Sequence, residues 1–403
     1  MTQTRAGAGR WVILALVFCA VMLNYVDRQI LALLKPTLEA KFAWSDQDYG
    51  NMASAFQFAA AVAFLGTGWL IDRVGLRIGF ALGVAVWSLA GMAHAFAGTV
   101  TEFVGARVLL GAAESVGTPA AVKSAATYFG PKDRSIALGI ANTAPNIGAI
   151  VTPLVIPALA LAFGWQSAFL VAGGLGLVWV AVWLSLRIPP VAADANAPAP
   201  IRWSALLTDR RTLAIAIAKV LSDQVWFFML SWLPDLFHRL FGLQQGTIGL
   251  PVAIVYAFAA AGALTGGWLP TRLVAHGWSV NAARKGTLLL YALLILPVPV
   301  VLSLHSPWVA ALVLGLGLFA HQGFSTNVFA LTTDVMPAQS VGTTIGIAAF
   351  CGNMGSIGMI QLSAWSLGHG FGYAPMLVIC AFSYLAALGV IQVLIPRIAA
   401  PAR

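Results

Sequence analysis

Charge is what this chain has least of. Among 403 residues only 22 are Lys or Arg and 13 are Asp or Glu, so 9% are charged while 60% are hydrophobic. A soluble fold covers its surface with about a quarter charged residues, so water is excluded as the main solvent, and the apolar excess excludes a disordered chain. Cysteine is scarce as well. Cys19, Cys351 and Cys380 stand far apart without metal-ligand spacing, which leaves them as small apolar residues inside spans. The sequence has no GxxxxGK[ST] phosphate loop, no HExxH and no acid cluster at metal spacing. ATP-driven pumping and metallo-catalysis therefore have no machinery, no cofactor or metal is expected, and no nucleophile–base constellation points to an enzyme.

Long uncharged sequence is what remains. Residues 135–186, 286–333 and 335–396 hold no Asp, Glu, Lys or Arg over 52, 48 and 62 positions. Each run accommodates two helices of about 20 residues, and none alternates as outer-membrane strands do. Hydropathy predicts about twelve spans, at 11–34, 47–70, 77–97, 101–126, 135–162, 166–187, 212–237, 247–270, 286–304, 308–333, 341–366 and 372–396. The first, preceded by Arg5 and Arg10, has no small-residue cleavage site and reads as a retained helix. The expected fold is an all-α polytopic membrane protein.

The net charge of +9 follows topology rather than nucleic-acid binding. With both termini cytoplasmic, fifteen basic residues fall on that side and three (Lys35, Lys41, Arg239) on the other, a positive-inside pattern. Pro189, Pro190, Pro198 and Pro200 mark a linker over 189–211, dividing the chain into six-helix halves at 1–188 and 212–403. A weak repeat relates them. Gly68-Trp-Leu-Ile-Asp-Arg-Val-Gly75 is answered by Gly267-Trp-Leu-Pro-Thr-Arg272, and Pro131, Gly139, Asn146 and Gly148 by Pro337, Gly346, Asn353 and Gly355. Two halves in parallel orientation are a transporter architecture.

Six charges stand inside spans, where each costs at least ~2.5–3.5 kcal/mol. Asp27 and Arg28 lie on the first span, Arg107 and Glu114 on the fourth, Lys219 and Asp223 on the seventh. Neighbours Asp27 and Arg28 point about 100° apart and need partners on other helices. Arg107 and Glu114, two turns apart, share a face. Lys219 and Asp223 are placed to touch, with Trp226 on the same stripe. Internal ion pairing would account for these charges, yet buried pairs add little net stability. A polar cavity that receives an anion, with carboxylates that take up protons, is the favoured reading. His321 and Gln322 in span ten, Ser325 one turn on and Asn353 in span eleven form a second polar patch.

The 68–77 segment resembles the signature loop of the major facilitator superfamily. Asn24-Tyr-Val-Asp-Arg-Gln29, Glu114 with Pro119-Ala-Ala-Val-Lys123, Asn146-Ile-Gly-Ala-Ile150, the stretch from Lys219 to Pro234 and Ala320-His-Gln-Gly-Phe-Ser325 resemble its anion:cation symporter branch, most of all bacterial hexuronate transporters. The resemblance implies import of a sugar-acid anion with protons by alternating access, in a bacterial inner membrane. It implies proton-coupling roles for Asp27 and Glu114 and substrate contact for Tyr25, Arg28 and Arg107. Lys219, Asp223, Trp226, His321, Gln322, Ser325 and Asn353 are the substrate-binding candidates of the second half. Gln224, Ala60 and Gly117-Thr118-Pro119 depart from the family pattern near these positions. Asp72 and Arg73, in the loop after span two, are candidates for a gate. The expected partners are a small organic anion, protons and the lipid bilayer, with the monomer as the working unit. Import or exchange of another organic anion (aldonate, aromatic acid or dicarboxylate) is the alternative.

Overall fold

The computed structural model describes residues 9–186 and 206–398. Most of the linker expected at 189–211 lies outside them. Among the described residues there is no strand, and thirteen α-helices follow one another. They are α1 Gly9–Phe42, α2 Asp46–Val74, α3 Leu76–Ala93, α4 Val100–Glu114, α5 Gly117–Tyr128, α6 Pro131–Phe163, α7 Trp165–Ser185, α8 Arg210–Phe241, α9 Gly249–Ala275, α10 Val280–Leu294, α11 Pro307–Val335, α12 Ala338–Gly368 and α13 Ala374–Leu394. Eleven helical segments are long and apolar enough to cross a bilayer, and the chain is a multi-pass membrane protein.

Local chemistry sets several of the ends. Thr99 and Glu102 form a capping box at the start of α4, so Glu102 is spent on backbone N–H groups. Asp209 caps α8 and also binds the Arg211 guanidinium, whose hydrogen bond holds the Asp209 carboxyl below its ordinary range. Gly242 ends α8 in the left-handed conformation at φ 67°.

Several spans differ from expectation, among them the ninth, whose α10 begins at Val280, takes in Arg284 and Lys285 and is followed by a 3-10 helix at Val298–Ser303. The first helix continues through Lys35 and Lys41 to Phe42, because Lys35 pairs with Glu39 one turn on at 2.8 Å. These lysines are therefore helical rather than in a loop. The fourth expected span is two helices, α4 and α5, separated at Ser115 and Val116, and neither reaches the length of a span alone. Pro119 is the cause: it has no N–H to offer the Ser115 carbonyl four residues back, and its ring crowds that carbonyl.

The chain forms two compact units. The first comprises Met1–Trp44, Asn51–Asp194 and Gln244–Gly249, the second Ser45–Gly50, Ala195–Leu243 and Leu250–Arg403. Within the first, α1 packs on α6 and α7, and α3 on α7 and α4. Within the second, α8 packs on α12, α13 and α11, and α10 on α11 and α13. The weak sequence repeat has a physical basis in these contacts. A Cβ on Gly148 would overlap the Met22 carbonyl of α1, and one on Gly355 the Val220 carbonyl of α8. Each unit thus brings its first span against its fifth at a bare glycine, since close backbone approach is what drives association where lipid is as apolar as Leu. Basic residues repeat as well. Arg77 donates to the Leu184 carbonyl in the last turn of α7 at 2.5 Å, and Lys285 to the Ile395 and Pro396 carbonyls at 2.8 Å just beyond α13. Each satisfies carbonyls at the negative end of its unit's last helix.

Gly148→Leu and Gly355→Leu are each expected to lower the melting temperature in detergent, as overpacking costs about 1–3 kcal/mol. Gly389→Leu, where a Cβ meets nothing within 4 Å, is expected to leave it in place. Equal melting of all three would remove the close-approach argument.

Candidate functional site

In the first unit, α1 and α4 carry the four intramembrane charges, and α1 reaches across to the end of α4. Arg28 Nε donates to Glu114 Oε2 at 2.8 Å, with the Glu114 side chain wholly buried. The expectation that Arg28 finds its partner on another helix holds. The second oxygen, Glu114 Oε1, is buried and accepts no hydrogen bond among the described residues. Asn24, one turn before Arg28, donates its amide to the Glu114 main-chain carbonyl at 3.2 Å. The Arg28 guanidinium lies 5.0 Å from the Tyr25 ring centre and 5.2 Å from that of Phe56. Arg107 lies 5.7 Å from the same Phe56 ring, so one aromatic face serves two cations. Asp27 is buried and turned toward α3, where a Cβ on Gly91 would stand 3.6 Å from its Oδ1. It lies within electrostatic reach of both Glu114 and Arg107. Two acids and two bases leave the formal charge of this cluster balanced.

In the second unit, Lys219 Nζ pairs with Asp223 Oδ1 at 2.6 Å and donates to Ser325 Oγ at 3.1 Å. Its ammonium also sits 4.3 Å from the Phe329 ring centre. The spacing of four along α8 is thus realised as contact. Asp223 is backed by Gly352 of α12, where any Cβ would collide with the carboxylate. Trp226 stacks on His321 with centroids 5.5 Å apart and planes 14° from parallel. His321 Nδ1 is 2.7 Å from Tyr384 Oη on α13, and that hydroxyl lies 3.4 Å from the Ser222 carbonyl. Ser222 Oγ lies 3.5 Å from Asp223 Oδ1, so Lys219, Asp223, Trp226, His321 and Ser325 are linked through Ser222 and Tyr384. Asn353 donates to Ala349 O within its own helix, and Gln322 is half-buried on α11. Gln224, at a departure from the family pattern, donates to Ser383 Oγ at 3.0 Å. Asp72 and Arg73, expected in a loop, stand in the last turn of α2, which continues to Val74; Arg73 is exposed, its guanidinium 5.4 Å from the Trp69 ring centre, and the Asp72 side chain lies outside the described residues.

Sequence reasoning missed Asn24 and Tyr384, which touch the two clusters, and a further polar group in the second unit. Asp235 is buried in α8, where it accepts from Arg239 Nε at 2.7 Å and from Tyr373 Oη at 2.5 Å, while Arg239 Nη2 reaches Asp46 at 2.5 Å. A helix that continues to Phe241 puts Asp235 inside it rather than at its margin.

Comparison with known proteins agrees with this architecture. The family model described as the Major Facilitator Superfamily matches residues 17–360. The hexuronate transporter of Escherichia coli (strain K12) is 28% identical over 407 residues, which cover 96% of this chain and 94% of its own. The D-galactonate transporter of Escherichia coli O6:H1 is 26% identical over 420 residues, covering 97% of each. The galacturonate transporter of Dickeya chrysanthemi is 28% identical over 323 residues, 75% of this chain and 93% of that one. Among solved structures, a bacterial homolog of the human lysosomal transporter Spinster, in an inward-facing and occupied conformation, superposes with a TM-score of 0.74 at 18% identity. That match covers 96% of this chain and 95% of the other, and it shows a shared fold.

Proposed function

The chain belongs to the Major Facilitator Superfamily, and from that premise we propose that it imports a sugar-acid anion such as a hexuronate together with protons by alternating access. The proposed setting is a bacterial inner membrane, with both termini cytoplasmic and the monomer as the working unit. The observation that carries this reading is the buried pair of Arg28 with Glu114 at 2.8 Å. A guanidinium already matched by a carboxylate binds no second carboxylate well. A proton on Glu114, which has Oε1 available to take it, removes the counter-charge and releases Arg28 to clamp the substrate carboxylate through two parallel hydrogen bonds. Anion and proton then load together because each makes the other's site favourable, a reciprocal coupling. Asp27, beside both Glu114 and Arg107, is the second proton carrier. Lys219, held by Asp223, supplies the positive charge of the other unit, and Tyr25, His321, Gln322, Ser325 and Asn353 supply hydroxyl partners.

Coupling of this kind is electrically favourable. A monoanion entering a negative-inside cell works against ~2.3 kcal/mol per 100 mV, and one accompanying proton cancels that cost. The names of the relatives support a sugar acid, and the D-galactonate transporter among them brings an aldonate reading with it. The test is uptake into proteoliposomes of labelled hexuronates, aldonates, aromatic acids and dicarboxylates, with and without an imposed pH gradient. Hexuronate accumulation that depends on an outside-acid gradient is the expected result. Accumulation of another class alone, or exchange indifferent to the gradient, would replace the proposal.

A further inference from the structure

The break in the fourth span falls next to Glu114, and the side chains that fill it come from other helices. Pro119 deprives the Ser115 carbonyl of its helical donor, and the Thr67 hydroxyl of α2 lies 3.4 Å from that oxygen. The Glu114 carbonyl, the last of α4, takes the Asn24 amide at 3.2 Å, a contact buried on both sides. Asn24 and Arg28 are four residues apart on α1 and share one face. Through them α1 holds the same residue twice, by its main chain and by its carboxylate.

We propose that Asn24 is a positioning residue for coupling: it anchors the broken end of α4 to α1, so that the Glu114 carboxylate stays beside Arg28 through successive cycles of release and re-pairing. The inference rests on the proposed role of Glu114. An acid that lets go of its partner at a helix end would otherwise swing with the loose turn at residues 115 and 116. With its main chain fixed, it returns to the same guanidinium. Thr67, whose hydroxyl lies 3.4 Å from the Ser115 carbonyl and equally far from the Phe64 carbonyl of its own helix, is the companion contact on the next carbonyl. The charged groups around Glu114 are Arg28 and Asp27 of α1 and Arg107 of its own helix, and none of them is altered by a change at Asn24.

Asn24→Leu keeps the shape and removes the amide. Two readouts apply to the full-length protein in lipid. The first is the infrared acid band of Glu114, identified by its loss in Glu114→Gln and followed through a pH titration. It needs no substrate, so it stays informative if the carried anion is not a sugar acid. The midpoint is expected to move by about half a pH unit or more, as partner charges within a few ångströms shift carboxylates on that scale. The second is the ratio of substrate affinity at acid pH to that at alkaline pH, expected to flatten by about threefold or more. If Asn24→Leu fails to fold, both are read on Thr67→Val, with Thr67→Ser expected to restore the wild-type values. A titration that superimposes on the wild type, with transport slowed equally at every pH, reduces these residues to a packing role and overturns the proposal. Failure of the uptake panel with a shifted infrared midpoint would instead overturn the sugar-acid reading alone.

Discussion

Arg28→Ala is expected to abolish substrate binding while the protein still folds. The guanidinium sits between the Tyr25 and Phe56 rings and against Glu114, where water gives a substrate carboxylate little help. Removing one partner of such a desolvated pair costs roughly 3–5 kcal/mol, which is at least about a hundredfold in affinity. Part of that cost belongs to the protein itself, because Arg28→Ala strands a buried carboxylate at Glu114. The double variant Arg28→Ala/Glu114→Gln separates the two contributions. It relieves the stranded charge, so thermal stability is expected to recover while binding does not. Arg28→Lys keeps the charge and loses the planar fork, so an intermediate affinity is expected. Equilibrium binding by calorimetry or scintillation proximity decides the matter. Near-normal affinity in Arg28→Ala would take the anion site away from α1.

What could be read in the sequence, and what could not, follows from the range of each interaction. Hydropathy is local, and it placed the helices well except where a backbone effect intervened. Pro119 sat inside the fourth expected span as a visible warning, since proline removes a donor wherever it falls in a helix, but an average over side chains does not register one missing N–H. Contacts within a single helix were legible too. Lys219 and Asp223, four apart, touch at 2.6 Å. The pair between Arg28 and Glu114 joins residues 86 positions apart. No spacing rule reaches that far, and the family resemblance marked Glu114 for proton coupling and Arg28 for substrate contact without pairing them. Tyr384 and Asn24 carried no such mark. A lone tyrosine or asparagine in an apolar run reads as packing until the residue it bonds is known. Asp235 was hidden for a different reason: a buried acid near a predicted boundary looks interfacial until the helix is seen to continue. The internal repeat was faint because little is shared between the halves beyond backbone approach and a basic residue that meets the end of each last helix. Gly148 and Gly355 keep the close approach, while the side chains around them are free to diverge.

Glu114→Gln separates carrying an anion from concentrating it. Glutamine keeps the shape of the protonated acid and an oxygen for hydrogen bonding, but holds no charge at any working pH. Arg28 is then released permanently, so substrate binding is expected to persist and to lose much of its pH dependence. Exchange of labelled for unlabelled substrate requires only that the loaded protein reorient, and it is expected to survive in part. Net uptake requires the empty protein to return, and in the wild type that return is made with Arg28 paired again to a deprotonated Glu114. With glutamine the buried guanidinium has lost its matching charge, and the empty protein must reorient carrying it. The driving force is lost as well. In the wild type, a one-unit pH gradient supplies about 1.4 kcal/mol per proton, roughly tenfold accumulation. If Asp27 does not substitute, the variant is left with a bare monoanion, which 100 mV negative inside holds about fiftyfold lower in the lumen than outside. Paired assays in the same proteoliposomes, counterflow without gradients and uptake with an outside-acid gradient, are expected to diverge, counterflow retained and accumulation gone. Gradient-driven accumulation that survives in Glu114→Gln would move the coupling to Asp27, which lies beside Arg107 and not in the Arg28 pair. Loss of counterflow and accumulation together, with binding intact, would make Glu114 part of the reorientation itself rather than of the proton step.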